Sequence, residues 1–124
     1  MVDLNRSSLQ AYAKVITDLP EADIQSEGMR GWILQGENHQ LVFLQMESNV
    51  RIPEHDHEYV EWAIVVEGEM ELTVEGKISK HKRGDEVLIP AHAKHKARSL
   101  TGTRMVSLFS ESARYRKKPH NKML

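Results

Sequence analysis

The residues best suited to chemistry lie in residues 53–68, PEHDHEYVEWAIVVEG, where His55, His57 and Glu61 precede a glycine. In extended backbone, successive side chains alternate faces, so His55 and His57 point the same way. Glu61, an even number of positions further on, joins them if the chain stays extended. Imidazole nitrogens and a carboxylate oxygen converging from one face are donors that a first-row divalent metal takes. Two histidines two apart make half a site, and a further ligand must come from elsewhere. A second stretch, residues 84–95 (GDEVLIPAHAKH), offers one: a glycine, a short apolar strand, a closing proline, and His95 five residues after Pro90.

Together the two stretches resemble the cupin superfamily. His55, His57, Glu61 and Gly68 fall on its first motif, G-x5-H-x-H-x3,4-E-x6-G. Gly84, Pro90 and His95 fall on its second, G-x5-P-x-G-x2-H-x3-N. Asn49 stands at the opening glycine, His92 at the second motif's glycine and Ser99 at the asparagine, none of them a metal ligand in the family. The resemblance covers residues 49–99. It implies an all-β fold, a cupin-type β-barrel or jelly roll of antiparallel strands. It also implies one divalent transition metal (Fe, Mn, Ni, Co or Zn) held by three neutral imidazoles, His55, His57 and His95, and the carboxylate of Glu61. Affinity order does not choose among those metals. In a six-coordinate site two positions stay open, where a substrate chelates through vicinal oxygens. The metal then acts as Lewis acid or, for iron, as the partner of dioxygen. Similarity to small single-domain cupins implies a metal-dependent enzyme acting on a small oxygenated or carbohydrate-derived molecule, or a non-catalytic small-ligand-binding or sensor module. It further implies a homodimer. Fold alone does not select among activities.

In the enzyme reading, Tyr59 and His92 are the candidates for proton transfer. His92 occupies a glycine turn of the family, and histidine tolerates positive φ better than most residues. A turn role is therefore favoured for it over one at the pocket mouth. His39, His81 and His120 read as exposed. Arg98 faces away from the pocket by parity with His95, and Trp62 reads as packing. A helix over this stretch is set aside because Val60, Ile64, Val65 and Val66 favour strand. On the same parity, Ala63 and Val65 line the cavity floor, Leu44 or Met46 adds apolar wall, and Ala97 and Ser99 follow His95.

The elements that must position these side chains fit in one domain, since 124 residues bury a single core. With 17 basic residues against 18 acidic ones, no global field recruits nucleic acid. The absence of cysteine excludes disulfides and thiolate ligands and fits a reducing compartment. No apolar run suits a signal peptide or a bilayer span. The expectation is a cytoplasmic protein with a small-molecule partner, no nucleic acid and no membrane, and with no room for an attached DNA-binding domain.

Along the chain, residues 1–24 form an N-terminal arm or edge strand. Leu9, Tyr12, Ala13 and Ile16 have helical spacing, but Tyr12, Val15, Ile16 and Thr17 suit a strand ending before Pro20, the favoured reading. Residues 28–31 and 36–38 read as turns around a short strand at 32–34, and residues 41–46 as a solid strand. Residues 62–66 look buried on both faces. Residues 69–75 alternate, with Met70, Leu72 and Val74 inward. Glu75-Gly76 signals a hairpin into 77–80, and residues 87–89, 96–100 and 104–109 supply further strands. Short strands separated by turns argue a sandwich or barrel over residues 25–113. Residues 114–124 form a basic tail, read as a solvated terminus in preference to an anion or nucleic-acid contact.

Overall fold

The computed structural model describes residues 11–119. They form a helical turn, α1 (Lys14–Thr17), and nine strands: β1 (Met29–Gln35), β2 (Gln40–Met46), β3 (Arg51–His55), β4 (Glu61–Glu67), β5 (Glu69–Val74), β6 (Lys77–Lys82), β7 (Glu86–Ile89), β8 (His95–Ser99) and β9 (Thr103–Phe109). The strands make two antiparallel sheets, ordered β1-β2-β9-β4-β7 and β3-β8-β5-β6. The architecture is a jelly-roll sandwich rather than a closed barrel, because pairing stops at β1 and β7 in one sheet and at β3 and β6 in the other. No helix among the described residues is long and apolar enough to cross a membrane.

The two motif glycines are the corners of this sandwich. Gly68 hands the chain from β4 to β5 and Gly84 from β6 to β7, each a change of sheet, at φ of 84° and 91°. At Gly68 a Cβ would stand 2.1 Å from the carbonyl oxygen of Gly102, so no side chain fits there. Gly31 serves another purpose. Residues 28–31 are not all turn, since β1 begins at Met29, and a Cβ on Gly31 would press on Leu44 and Val42 of the core at 2.9 and 3.2 Å.

Strict alternation fills the space between the sheets. β2 and β9 each bury every second residue, placing Val42, Leu44 and Met46 beside Met105 and Phe109, with Ala63 and Val65 continuing the same face on β4 and Met70 and Leu72 across from them on β5. Each large apolar side chain so buried contributes about 1.5–3 kcal/mol. The opposite parity of β4 is not buried: Trp62 and Ile64 are 47% and 42% exposed, against the expectation of burial on both faces.

Two terminal segments differ from their sequence reading. Residues 14–17 form a helical turn, not an edge strand, because Tyr12 fixes the chain across the outer face of the larger sheet. Its ring meets Trp32 and Phe43 edge-on at 6.0 and 5.8 Å, and its hydroxyl donates between the carbonyls of Leu44 (2.8 Å) and Met105 (3.1 Å). Leu9 and His120 lie outside the described residues. At the other end, the chain after β9 is pinned rather than free. Buried Gln40 accepts from the Tyr115 amide at 2.9 Å and donates to the Tyr115 carbonyl at 3.0 Å. The Asp23 and Lys118 amides donate to the Arg116 and Glu21 carbonyls at 2.7 and 2.8 Å.

Candidate metal centre

The centre begins with an irregularity in β3. Ile52 pairs with Ala97, but the register shifts so that His55, not Glu54, stands opposite His95. Pro53 lies within the shift, where a missing amide donor costs least. The extra residue turns both Ile52 and His55 toward the interior although they are three positions apart. The strand ends at His55, so His57 does not reach the site by strand alternation. It is carried by the following loop, where the His92 amide donates to the His57 carbonyl at 2.7 Å and the Tyr59 ring lies flat against the imidazole, 4.3 Å away and 2° from parallel. Glu61 opens β4, opposite Ile89 and Phe109.

Each of the three histidines is oriented in the same way. Nδ1–H of His55 donates to the carbonyl of Pro53 (2.9 Å), that of His57 to Tyr59 (2.8 Å) and that of His95 to Ala93 (2.8 Å). A carbonyl only accepts, so each ring carries its proton on Nδ1 and turns the Nε2 lone pair inward. The ligand atoms of the three rings lie within 4.8 Å of one another. Oε1 of Glu61 stands 3.4 Å from His57 Nε2 and 3.9 Å from His95 Nε2. His57 Nε2 is buried yet makes no hydrogen bond. A buried nitrogen lone pair without a donor, beside two others and a carboxylate, fits a divalent cation. The Glu61 carboxylate holds His57 above the ordinary histidine value, whereas burial pushes His55 below it.

The cluster sits in a pocket whose walls include Leu44, Ile52, Leu72, Ile89 and Ala97. Leu44 and Ala97 thus take the expected places. Ala63, Val65 and Met46 are core residues on the same inward parity but do not line the pocket, and Ser99 uses its hydroxyl to tie down the 47–50 loop through the Glu47 carbonyl. Arg98 points outward, 3.7 Å from Glu71. His39 is exposed, while His81 is half-buried on β6, 2.8 Å from the Ser79 hydroxyl. His92 adopts φ of 68° and is exposed, as a residue in a glycine turn would be. Tyr59 is half-buried, and burial raises its hydroxyl pKa. Neither Tyr59 nor His92 is part of the pocket wall. Phe109, Arg114 and Tyr115 are among the wall residues that the sequence reading did not name. Phe109 lies on β9, legible as a strand but apolar on both faces; the other two come from a segment whose return to the pocket leaves no periodic trace.

The cupin domain family matches residues 42–110. An RmlC-like cupin from Shewanella frigidimarina superposes with a TM-score of 0.70 at 26% identity, covering 78% of this chain and 87% of that one. KdgF from Halomonas sp. does so with 0.68 at 23% identity, over 75% and 86%. A Bacillus subtilis oxalate decarboxylase described by its Mn(II) centres shares the fold at 16% identity and a TM-score of 0.70, over 91% of this chain and 35% of that one. No curated protein sequence matches significantly.

Proposed function

The chain belongs to the cupin superfamily, and on that premise we propose that it is a metal-dependent enzyme acting on a small oxygenated or carbohydrate-derived molecule. The observation that carries this reading is the common orientation of His55, His57 and His95, each with Nδ1 engaged and Nε2 free, around one point beside Glu61. Glu61 offers the fourth donor, and the set of three nitrogens and one oxygen suits Fe, Mn, Ni, Co or Zn. A bound divalent ion there supplies Lewis-acid polarisation of oxygens coordinated to it. The chain itself orients and dries the site. Backbone carbonyls lock the imidazoles, Tyr59 steadies His57 by stacking, and the aliphatic wall excludes water from all but the reacting atoms.

Proton handling falls to Tyr59 or His92 in this reading. Tyr59→Phe keeps the stacked ring and removes only the hydroxyl. Loss of turnover at full metal content then assigns proton transfer to that hydroxyl, and unchanged turnover leaves Tyr59 a positioning residue. His92→Ala divides in the same way. The reading is tested by assaying metal-loaded protein against small diols, hydroxy acids, keto acids and sugar-derived ketones. Turnover that disappears in His95→Ala is expected. Tight binding without turnover across the whole set would replace the enzyme with a ligand-binding module.

A homodimer accompanies this reading. Leu34, Leu41, Leu108, Trp62 and Leu88 stand opposite one another in register and run as one apolar row across all five strands of the larger sheet. Leu34, Trp62 and Leu88 are 50%, 47% and 57% exposed. Tyr12 covers the neighbouring row at Trp32 and Phe43 and leaves this one open. A continuous apolar surface of this kind marks an interaction site, and a flat row spanning a sheet is self-complementary about a two-fold axis.

A further inference from the structure

Arg114 lines the same pocket as His55, Glu61 and His95. Its guanidinium carbon lies 4.7 Å from the ring centre of Tyr115 and 5.5 Å from that of Phe109, and Phe109 in turn meets His57 edge-on at 6.3 Å. The cation is therefore one aromatic ring away from the metal-type cluster. It forms no ion pair with any described residue, and its Nε is buried without a hydrogen-bond partner among them. Arg114 is half-buried, and a guanidinium whose Nε is withdrawn from water beside apolar walls is costly unless an anion completes it.

The placement is built rather than incidental. Both backbone groups of Tyr115 are held by the buried carboxamide of Gln40, which is itself braced at 3.0 Å by Gln35. Two ring faces then fix the guanidinium plane. A planar guanidinium offers two parallel N–H donors, the match for a carboxylate. The aliphatic walls provide no second cation to share the charge of a dianion, so a singly charged carboxylate fits better than a phosphate.

The geometry points to Arg114 as a carboxylate-binding, specificity-determining residue: the ligand of this pocket is a small acid with vicinal oxygens at one end and a carboxylate at the other, the carboxylate seated on Arg114. The chelating end rests on the metal-centred reading above; the anionic end stands on Arg114 alone.

Two probes of equal length separate these contributions. Malate has vicinal oxygens at one end and a carboxylate at the other, and 2-hydroxybutyrate has a methyl in place of that remote carboxylate. Binding of each is measured by calorimetry to the manganese-loaded wild type, Arg114→Gln and Arg114→Lys, with metal content determined in every sample. Malate is expected to bind the wild type about tenfold or more tightly than 2-hydroxybutyrate, as a charge-assisted hydrogen-bonded pair warrants. Arg114→Gln should erase that ratio without loss of metal, and Arg114→Lys should keep part of it. Equal binding of the two acids by the wild type, or a malate advantage that survives in folded Arg114→Gln, overturns the inference. The wild-type comparison decides the matter even if Arg114→Gln does not fold. Should the protein take up none of manganese, iron, nickel, cobalt or zinc, the comparison is made on metal-free protein. A malate preference lost in the variants then supports the Arg114 site while removing the metal-centred reading, and no preference overturns both.

Discussion

At the scale of single residues, what fits the histidine cluster to a metal ion is the state of its nitrogens. A histidine coordinates only through a deprotonated nitrogen, and three separate carbonyls fix which one that is. His57 is the most exposed to disturbance, because it sits in a loop and depends on Tyr59 and the His92 amide for its position. His57→Ala should therefore strip the metal and abolish the melting-temperature rise that metal gives, a rise worth about 2.7 kcal/mol when free metal is a hundredfold above its dissociation constant. The same residue sets a pH dependence. In metal-free protein, Glu61 raises His57 above its ordinary 6.5, so the pair stabilises the fold fully below the unfolded value and loses that contribution as pH rises through the folded one. Metal binding needs the neutral ring and gains over the same interval. The metal-induced melting shift should accordingly grow from about pH 5 to about pH 8, and a shift that is flat or falls with pH would count against these ligands. The identities of these residues were legible in the sequence because their spacing is. Arg114 was not: a cation in a basic tail looks the same whether it meets water or a cavity.

At the scale of elements, periodicity exposed some strands and hid others. β5 alternates in sequence and could be read directly, whereas β2 and β9 bury every second residue but carry apolar side chains on both faces, so that only their being strands was legible. β3 could not be read this way, since RIPEH contains a proline and charged residues, and its register shift is set by pairing with β8 rather than by local preference. Strand parity also grouped these histidines by the wrong route: His57 joins the cluster by a loop, not by alternation. The arm at Tyr12 was misread because tertiary anchoring of one side chain outweighed a weak β-propensity. The segment after β9 depends in a similar way on Gln40. Gln40→Ala removes the partners of two backbone groups at Tyr115, each costing about 1–3 kcal/mol if left buried and unpaired. The expected result is a lower melting temperature with faster hydrogen exchange at the Tyr115 amide and unchanged metal content. Unaltered exchange at Tyr115 would show that the segment is held by something else.

At the scale of the whole molecule, the two faces of the larger sheet do different work. The inner face builds the pocket wall with Leu44, Met105 and Phe109, and the outer face presents the apolar row that includes Trp62. The sequence hinted at this division, because Trp62 and Ile64 alternate with residues of the opposite parity, but it could not say whether the outward set was covered. Light scattering at micromolar concentration should give the mass of two chains, and Trp62→Arg should shift it toward one chain while the metal stays bound. A wild-type monomer would leave the row without its partner.

The centre itself is tested most directly by metal analysis of protein purified without a metal-charged resin, combined with thermal melts before and after chelation and reconstitution. The structure leads us to expect about one divalent ion per chain, held by His55, His57, Glu61 and His95 with donor distances near ~2.0–2.2 Å, and a melting temperature that falls on chelation and recovers on reconstitution. Protein that carries no metal, and whose melting temperature does not move when manganese, iron, nickel, cobalt or zinc is added, would contradict it.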